Sequence, residues 1–138
     1  MADKIIKHTI PILKADEVKN KQQIFLILDA REKNEFLISH LKYAKHIGFD
    51  FPDFSALKNI PKTTPILVYC SVGYRSEKMA EKIKALGYKN VFNLFGGIFY
   101  WSNNHLPLVD SKNKPSNKIH GYSKDWGKWL NSTNVVYE

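Results

Sequence analysis

The chain holds one cysteine, and it opens the run Cys70-Ser71-Val72-Gly73-Tyr74-Arg75. A cysteine attacks as its thiolate, and converging N–H groups or nearby positive charge favour that form. The run follows an apolar, β-branched stretch, Ile66-Leu67-Val68-Tyr69, and leads into a helix-like stretch from Ser76 to Leu86. A strand that turns directly into a helix delivers the thiol to unpaired N–H groups and the positive end of the helix dipole. A lone cysteine is more often an inert core residue. The flanking glycine and arginine point here to a reactive nucleophile on a surface turn, so Cys70→Ser is expected to end the chemistry and spare the fold.

Other residues that could take part are few. His40 and His46 have no cysteine or acidic cluster at ligand spacing, so no metal is expected, and His40 reads as a structural hydrogen-bonding residue. Asp29 and Arg31 fall at a strand end. Either they support the Cys70 loop, or Arg31 forms a structural ion pair with Glu35. Phe95 and Trp101 are expected in the core rather than in a pocket. Tyr74, the large polar-tipped residue of the loop, is the candidate for shaping access to the thiol.

The elements that must position these groups alternate along the chain. Strands are expected at Ile5–Ile10, at the continuous apolar run Ile24–Leu28, at Ala44–Ile47, at Ile66–Tyr69 and at Val91–Leu94. Helical stretches are expected at Lys14–Asn20 (capped by Asp16), Lys33–Ile38 and Phe54–Leu57, and from Gly96-Gly97 through Trp101. In the helix after Cys70, Met79, Ala80, Ile83 and Leu86 share one face, with Glu77, Lys78, Glu81, Lys82 and Lys84 on the others and Gly87 as a left-handed cap. Alternation of this kind predicts a mainly parallel sheet with helices on both faces, and ligands bind such sheets beyond the carboxyl ends of their strands.

The 138 residues suffice for one domain, expected over 1–108, with an extension over 109–138. In the extension, Ile119–Tyr122 reads as extended, and 123–130 as a capped helical turn. Trp126, Trp129 and Leu130 on one side of that turn should dock the tail on the domain. The N-terminus has no apolar leader and no window is apolar enough to span a bilayer. With a single cysteine and hence no internal disulfide, the expected setting is a reducing cytoplasm. The net charge of +8 comes from scattered lysines. Without a dense basic stripe it argues for attraction of a small anion and against nucleic-acid or membrane binding.

Asp29-Ala30-Arg31 with Glu35-Phe36, His40, Cys70 through Ser76, and Leu94-Phe95-Gly96-Gly97 with Trp101, in that order, resemble the single-domain rhodanese (sulfurtransferase) pattern over residues 5–108. The resemblance implies a small α/β domain with a central, mainly parallel five-stranded sheet flanked by helices on both faces, and a cysteine that carries sulfur as a persulfide. It implies that the amides of Ser71, Val72, Gly73, Tyr74, Arg75 and Ser76 curl around the sulfur as an anion nest. Gly73 would adopt a conformation that a Cβ resists, while Arg75 braces the loop or adds positive charge. The implied reaction is covalent and ping-pong. Cys70 takes the outer sulfur of a donor such as thiosulfate, then yields it to cyanide, a thiol or a protein acceptor, with no cofactor or metal. The acceptor must come from outside, because there is no second cysteine.

Two alternatives stand beside this reading. One is a persulfide carrier or protein-interaction module with little free turnover. The other is a phosphatase-like or arsenate-reducing enzyme. Enzymes of that kind place one more residue between cysteine and arginine than the four found here, and the shorter loop favours sulfur. Two departures from the pattern stand out. Ser39-His40-Leu41-Lys42-Tyr43-Ala44 replaces both glycines of the usual Gly-His-Ile…Gly-Ala, which puts the local turn in question, and the long tail has no counterpart.

Overall fold

The computed structural model describes residues 9–122, 130 and 134–137. Its centre is a parallel sheet of β1 (Ile12–Leu13), β2 (Leu26–Asp29), β3 (Lys45–His46), β4 (Ile66–Tyr69) and β5 (Val91–Leu94), in the order β1-β5-β4-β2-β3. Strand β4 lies in the middle, in register with β2 from Leu26↔Ile66 to Asp29↔Tyr69 and with β5 from Ile66↔Val91 to Val68↔Asn93. All four of its residues are buried, which is why it reads as an unbroken apolar run.

The pleat divides β4 between two cores. Ile66, Val68 and then Cys70 point to one, with Met79, Ala80 and Ile83 of helix α3 (Tyr74–Ala85). Leu67 and Tyr69 point to the other, with Val18 of α1 (Ala15–Val18) and Ile98 and Trp101 of α4 (Gly97–Asn103). Helices therefore cover both faces. Helix α2 (Lys33–Ile38) follows β2 at the carboxyl end of the sheet. No helix among the described residues is long and apolar enough to cross a membrane.

The extension folds back over this body. β6 (Leu108–Val109) pairs antiparallel with β7 (Pro115–Ser116), and β8 (Lys118–His120) pairs parallel with β9 (Asn134–Val136). His40 and Val109 exchange backbone hydrogen bonds of 2.9 Å in both directions. Ile119 and Leu130 join the second core. Trp126, Trp129 and the rest of the turn expected at 123–130, Leu130 apart, lie outside the described residues.

Several local expectations are corrected. Thr9 and Ile10 are not strand, and the edge strand is instead Ile12–Leu13, after the proline; residues 5–8 lie outside the described residues. Helix α1 starts from Lys14, whose box partner is Glu17, so Asp16 sits inside the first turn rather than at the cap. Gln22–Ile24 is a 3₁₀ turn, and β2 begins at Leu26. On α3, Leu86 is 52% exposed and Glu77 is buried, its carboxylate accepting the Thr9 N–H at 2.9 Å. A segment folding over the polar side of α3 buries what helical periodicity alone leaves in water.

Candidate active site

Cys70 follows β4 at the point where the chain direction through the sheet reverses: β4 leads to β5 on one side, while β2 leads to β3 on the other. Open parallel sheets bind ligands outside the carboxyl ends of their strands at such a point. Here lies a cleft of about 220 Å³, lined by Cys70, Ser71, Val72, Tyr74 and Arg75 together with Glu32, Phe49, Asp50 and Tyr122. Contrary to the expectation of a surface turn, Cys70 is 1% exposed and belongs to the core beneath it. The strand alternation aims its side chain inward while its loop wraps the outer side. Substitution there touches packing as well as chemistry.

An N–H donor and a hydroxyl lie behind the sulfur. The Gly73 N–H lies 3.1 Å from Sγ, and the Ser76 hydroxyl 3.4 Å. Gly73 caps α3 at φ +113°, a region that disfavours any Cβ, and this turn is what brings its N–H back onto the sulfur. The Ser76 hydroxyl also faces Asn93 Oδ1 at 2.6 Å, and Asn93 Nδ2 donates to the Gly73 carbonyl at 3.0 Å. Its single proton can serve only one acceptor at a time, so Asn93 holds Ser76 in place beside Sγ. The amides of Tyr74, Arg75 and Ser76 open α3 with no intrahelical acceptor and no side-chain cap. Of the six loop amides expected around the sulfur, Gly73 is the one in direct hydrogen-bond contact.

Arg75 braces the loop. Its Nη1 and Nη2 donate to Glu35 Oε2 and Oε1 at 2.8 and 2.9 Å, and Nη2 also donates to Ser71 Oγ at 2.8 Å. Burial disfavours both charges, yet each partner outweighs it for the other. The Glu35 carboxyl is held below its usual value by the hydrogen bonds and charge of Arg75, and Arg75 is held above its own by Glu35 and by nearby Cys70. Glu35 also accepts the Glu32 N–H at 2.8 Å, which closes the start of α2.

Asp29 and Arg31 form a separate buried latch. Arg31 Nε and Nη2 donate to Asp29 at 2.7–3.1 Å, and Nη2 also reaches the Ser39 carbonyl at 2.6 Å. The Arg31–Glu35 pair weighed from sequence is not formed, because Glu35 belongs to Arg75. Tyr69 donates to Asp29 at 2.7 Å and accepts the Leu41 N–H at 3.1 Å, so the latch joins the ends of β2 and β4 to the 39–41 turn. His46 Nε2 meets the Arg31 carbonyl at 2.7 Å; His40 Nδ1 meets the Phe36 carbonyl at 3.0 Å. Neither Asp29 nor Arg31 lines the cleft. Among the described residues no group of histidine, cysteine or carboxylate side chains could hold a metal ion.

Helix α4 holds the loop from below. The Ile98 and Phe99 N–H groups donate to the carbonyls of Cys70 and Ser71 at 2.9 and 3.0 Å. Gly97, at φ +59°, makes the approach possible, since a Cβ there would sit 2.5 Å from both carbonyl oxygens. The Gly96-Gly97 pair signals a turn in the sequence but not this contact. Asn93, Phe49, Asp50 and Tyr122 carried no sequence signal at all, because only the tertiary fold brings them to Cys70. Trp101 is core, its Nε1 bound to the Pro107 carbonyl at 2.9 Å, and Phe95 packs edge-on against Tyr100.

A cysteine at the carboxyl end of a central parallel strand, set in a short loop between strand and helix, marks a class of small α/β domain. Residues 14–104 match the Rhodanese-like domain family, and the chain belongs to it. A thiosulfate sulfurtransferase, GlpE, from Coxiella burnetii is 30% identical over 102 residues, which cover 73% of this chain and 92% of that protein. The thiosulfate sulfurtransferase GlpE of Haemophilus influenzae is 35% identical over 88 residues, covering 63% of this chain and 82% of that one. The solution structure of the rhodanese-like domain from Anabaena sp. shares the fold, with a TM-score of 0.66 at 21% identity over 72% of this chain and 79% of that chain.

Proposed function

We propose that the protein is a sulfurtransferase that moves a sulfane sulfur from a donor such as thiosulfate to cyanide or a thiol through a persulfide on Cys70. The observation that carries the reading is that Cys70 lines the cleft, with the Gly73 N–H 3.1 Å and the Ser76 hydroxyl 3.4 Å from its sulfur. In the first displacement the thiolate attacks the outer sulfur of thiosulfate. The sulfur–sulfur bond of the donor breaks, sulfite leaves with its electron pair, and Cys–S–S⁻ remains. In the second, cyanide or a thiolate attacks the terminal sulfur, leaving as thiocyanate or R–S–S⁻ and restoring the Cys70 thiolate.

Negative charge stays on sulfur throughout, so the N–H groups at the start of α3 can stabilise every state without a proton relay. Arg75 argues against phosphate or arsenate chemistry. Its guanidinium is committed to Glu35 and Ser71 rather than left free to grip an oxyanion. The carrier reading differs only in the acceptor, a partner protein in place of a small molecule. Steady-state assay with thiosulfate and cyanide tests the proposal. Parallel double-reciprocal lines are expected as the sign of two separate displacements, and intersecting lines would mean that donor and acceptor meet on the protein.

A further inference from the structure

We propose that Tyr122, from the C-terminal extension, is a specificity-determining residue of the sulfur site. It supplies an aromatic wall that favours an acceptor with an organic body, a carbon-bearing thiol, over a bare inorganic anion. The inference rests on the sulfurtransferase reading and assigns Tyr122 to its second displacement. Tyr122 lies beyond the segment that matches the family, residues 14–104, yet it lines the same cleft as Cys70. Its ring lies over the Arg75 guanidinium, 4.5 Å from centroid to Cζ. The tail thereby covers the residue that braces the Cys70 loop.

The position is held against a local preference. Tyr122 has φ +69°, a conformation disfavoured for any residue with a Cβ. Its N–H is fixed by His120 Nδ1 at 2.9 Å, and His120 is buried beside Asn34 of α2, 3.4 Å from Nε2 to Nδ2. Strain of this kind persists where the surroundings over-determine it, and it concentrates at ligand sites. Tyr122 is still 48% exposed, so solvent and a ligand can reach it.

Tyr122, Tyr74 and Phe49 give the cleft three aromatic side chains. Thiosulfate and cyanide have no carbon body to bury, so ring faces offer them little. A thiol with a carbon body buries apolar surface against those faces as its sulfur approaches Cys70.

The test compares modification of Cys70 by benzyl and methyl methanethiosulfonate. Each reaction forms the mixed disulfide and releases methanesulfinate, so only the organic group differs. The ratio of the two second-order rate constants, normalised to free cysteine, should favour benzyl in the natural protein. It should fall about five- to tenfold in Tyr122→Gly, which removes the ring while relieving the left-handed strain, and hold in Tyr122→Phe. An unchanged ratio in Tyr122→Gly, or an equal loss in Tyr122→Phe, overturns the proposal. Thiosulfate loading, measured separately, reports on the reaction itself. Loading without a Tyr122-dependent ratio ends this proposal alone, while the ratio change without loading ends the sulfurtransferase reading and leaves the wall standing.

Discussion

Arg75 holds both carboxylate oxygens of Glu35, at 2.8 and 2.9 Å, and so ties helix α2 to the loop that follows Cys70. The two side chains are 11% and 2% exposed, which makes this a buried pair rather than a surface contact. Removing one partner strands the other charge, at a cost of about 3–5 kcal/mol. Glu35→Gln should therefore lower the unfolding free energy in urea by about that much and reduce sulfur transfer. A double variant, Glu35→Leu with Arg75→Met, should lose less than the sum of the single changes. Additive losses would show that the two residues act independently.

The same pair sets an acid limit. Glu35 titrates below its unfolded value of 4.5 in the folded chain, because Arg75 outweighs the opposing effect of burial. As pH falls the unfolded chain takes up this proton first. The stabilisation is therefore complete above about pH 4.5 and is lost as pH falls through the lower, folded value. Melting temperature against pH should show this limb in the natural protein and lack it in Glu35→Gln. An unchanged limb in that variant would assign acid sensitivity elsewhere.

Gly97 should tolerate no side chain without loss. Alanine at φ +59° carries the left-handed penalty of about 1–2 kcal/mol, and its Cβ would overlap the Cys70 and Ser71 carbonyls. Gly97→Ala should lose more stability than that penalty and lose activity with it. Gly87→Ala is the control: φ is +105°, and the nearest atom to a new Cβ, on the Lys62 side chain, is 3.7 Å away. Thermal melts and turnover of the two variants side by side would decide, and equal losses would rule out the contact with the Cys70 loop.

Tyr43 offers the opposite case. It stands where the pattern that the chain resembles has its second glycine, and it takes up φ +72°, the left-handed region that favours glycine. Ser39, at the first, is extended at φ −167°, where any residue fits. Tyr43 is half-exposed, and its hydroxyl accepts a hydrogen bond from Gln23 Nε2 at 2.8 Å. Tyr43→Gly should be neutral or stabilising by up to about 1 kcal/mol, since relief of the left-handed strain offsets an exposed contact. A lower melting temperature would mean the ring contributes more than its contacts suggest.

The sequence makes the centre of this fold legible for a physical reason. Ile66–Tyr69 and Val91–Leu94 are buried strands whose composition answers to burial alone, and Lys33–Ile38 is a helix with its own capping box. Cys70 is legible for the same reason, since the strand and helix that deliver it are adjacent in the chain. What escapes is whatever depends on distant neighbours. Glu35 chooses Arg75 over the nearer Arg31, because Arg31 is already enclosed with Asp29. Glu77 is buried by a segment near the N-terminus, and Tyr122 reaches the cleft only because β8 docks beside α2. Cys70 itself is more deeply buried than its place in a turn suggests, since strand alternation continues through it.

Persulfide formation on Cys70 is tested most directly by the intact mass of the protein after thiosulfate treatment and removal of excess donor. A gain of one sulfur atom is expected, mapped to Cys70, absent in Cys70→Ser and discharged by cyanide with release of thiocyanate. An unchanged mass in folded protein, or a sulfur that persists in Cys70→Ser, would contradict it.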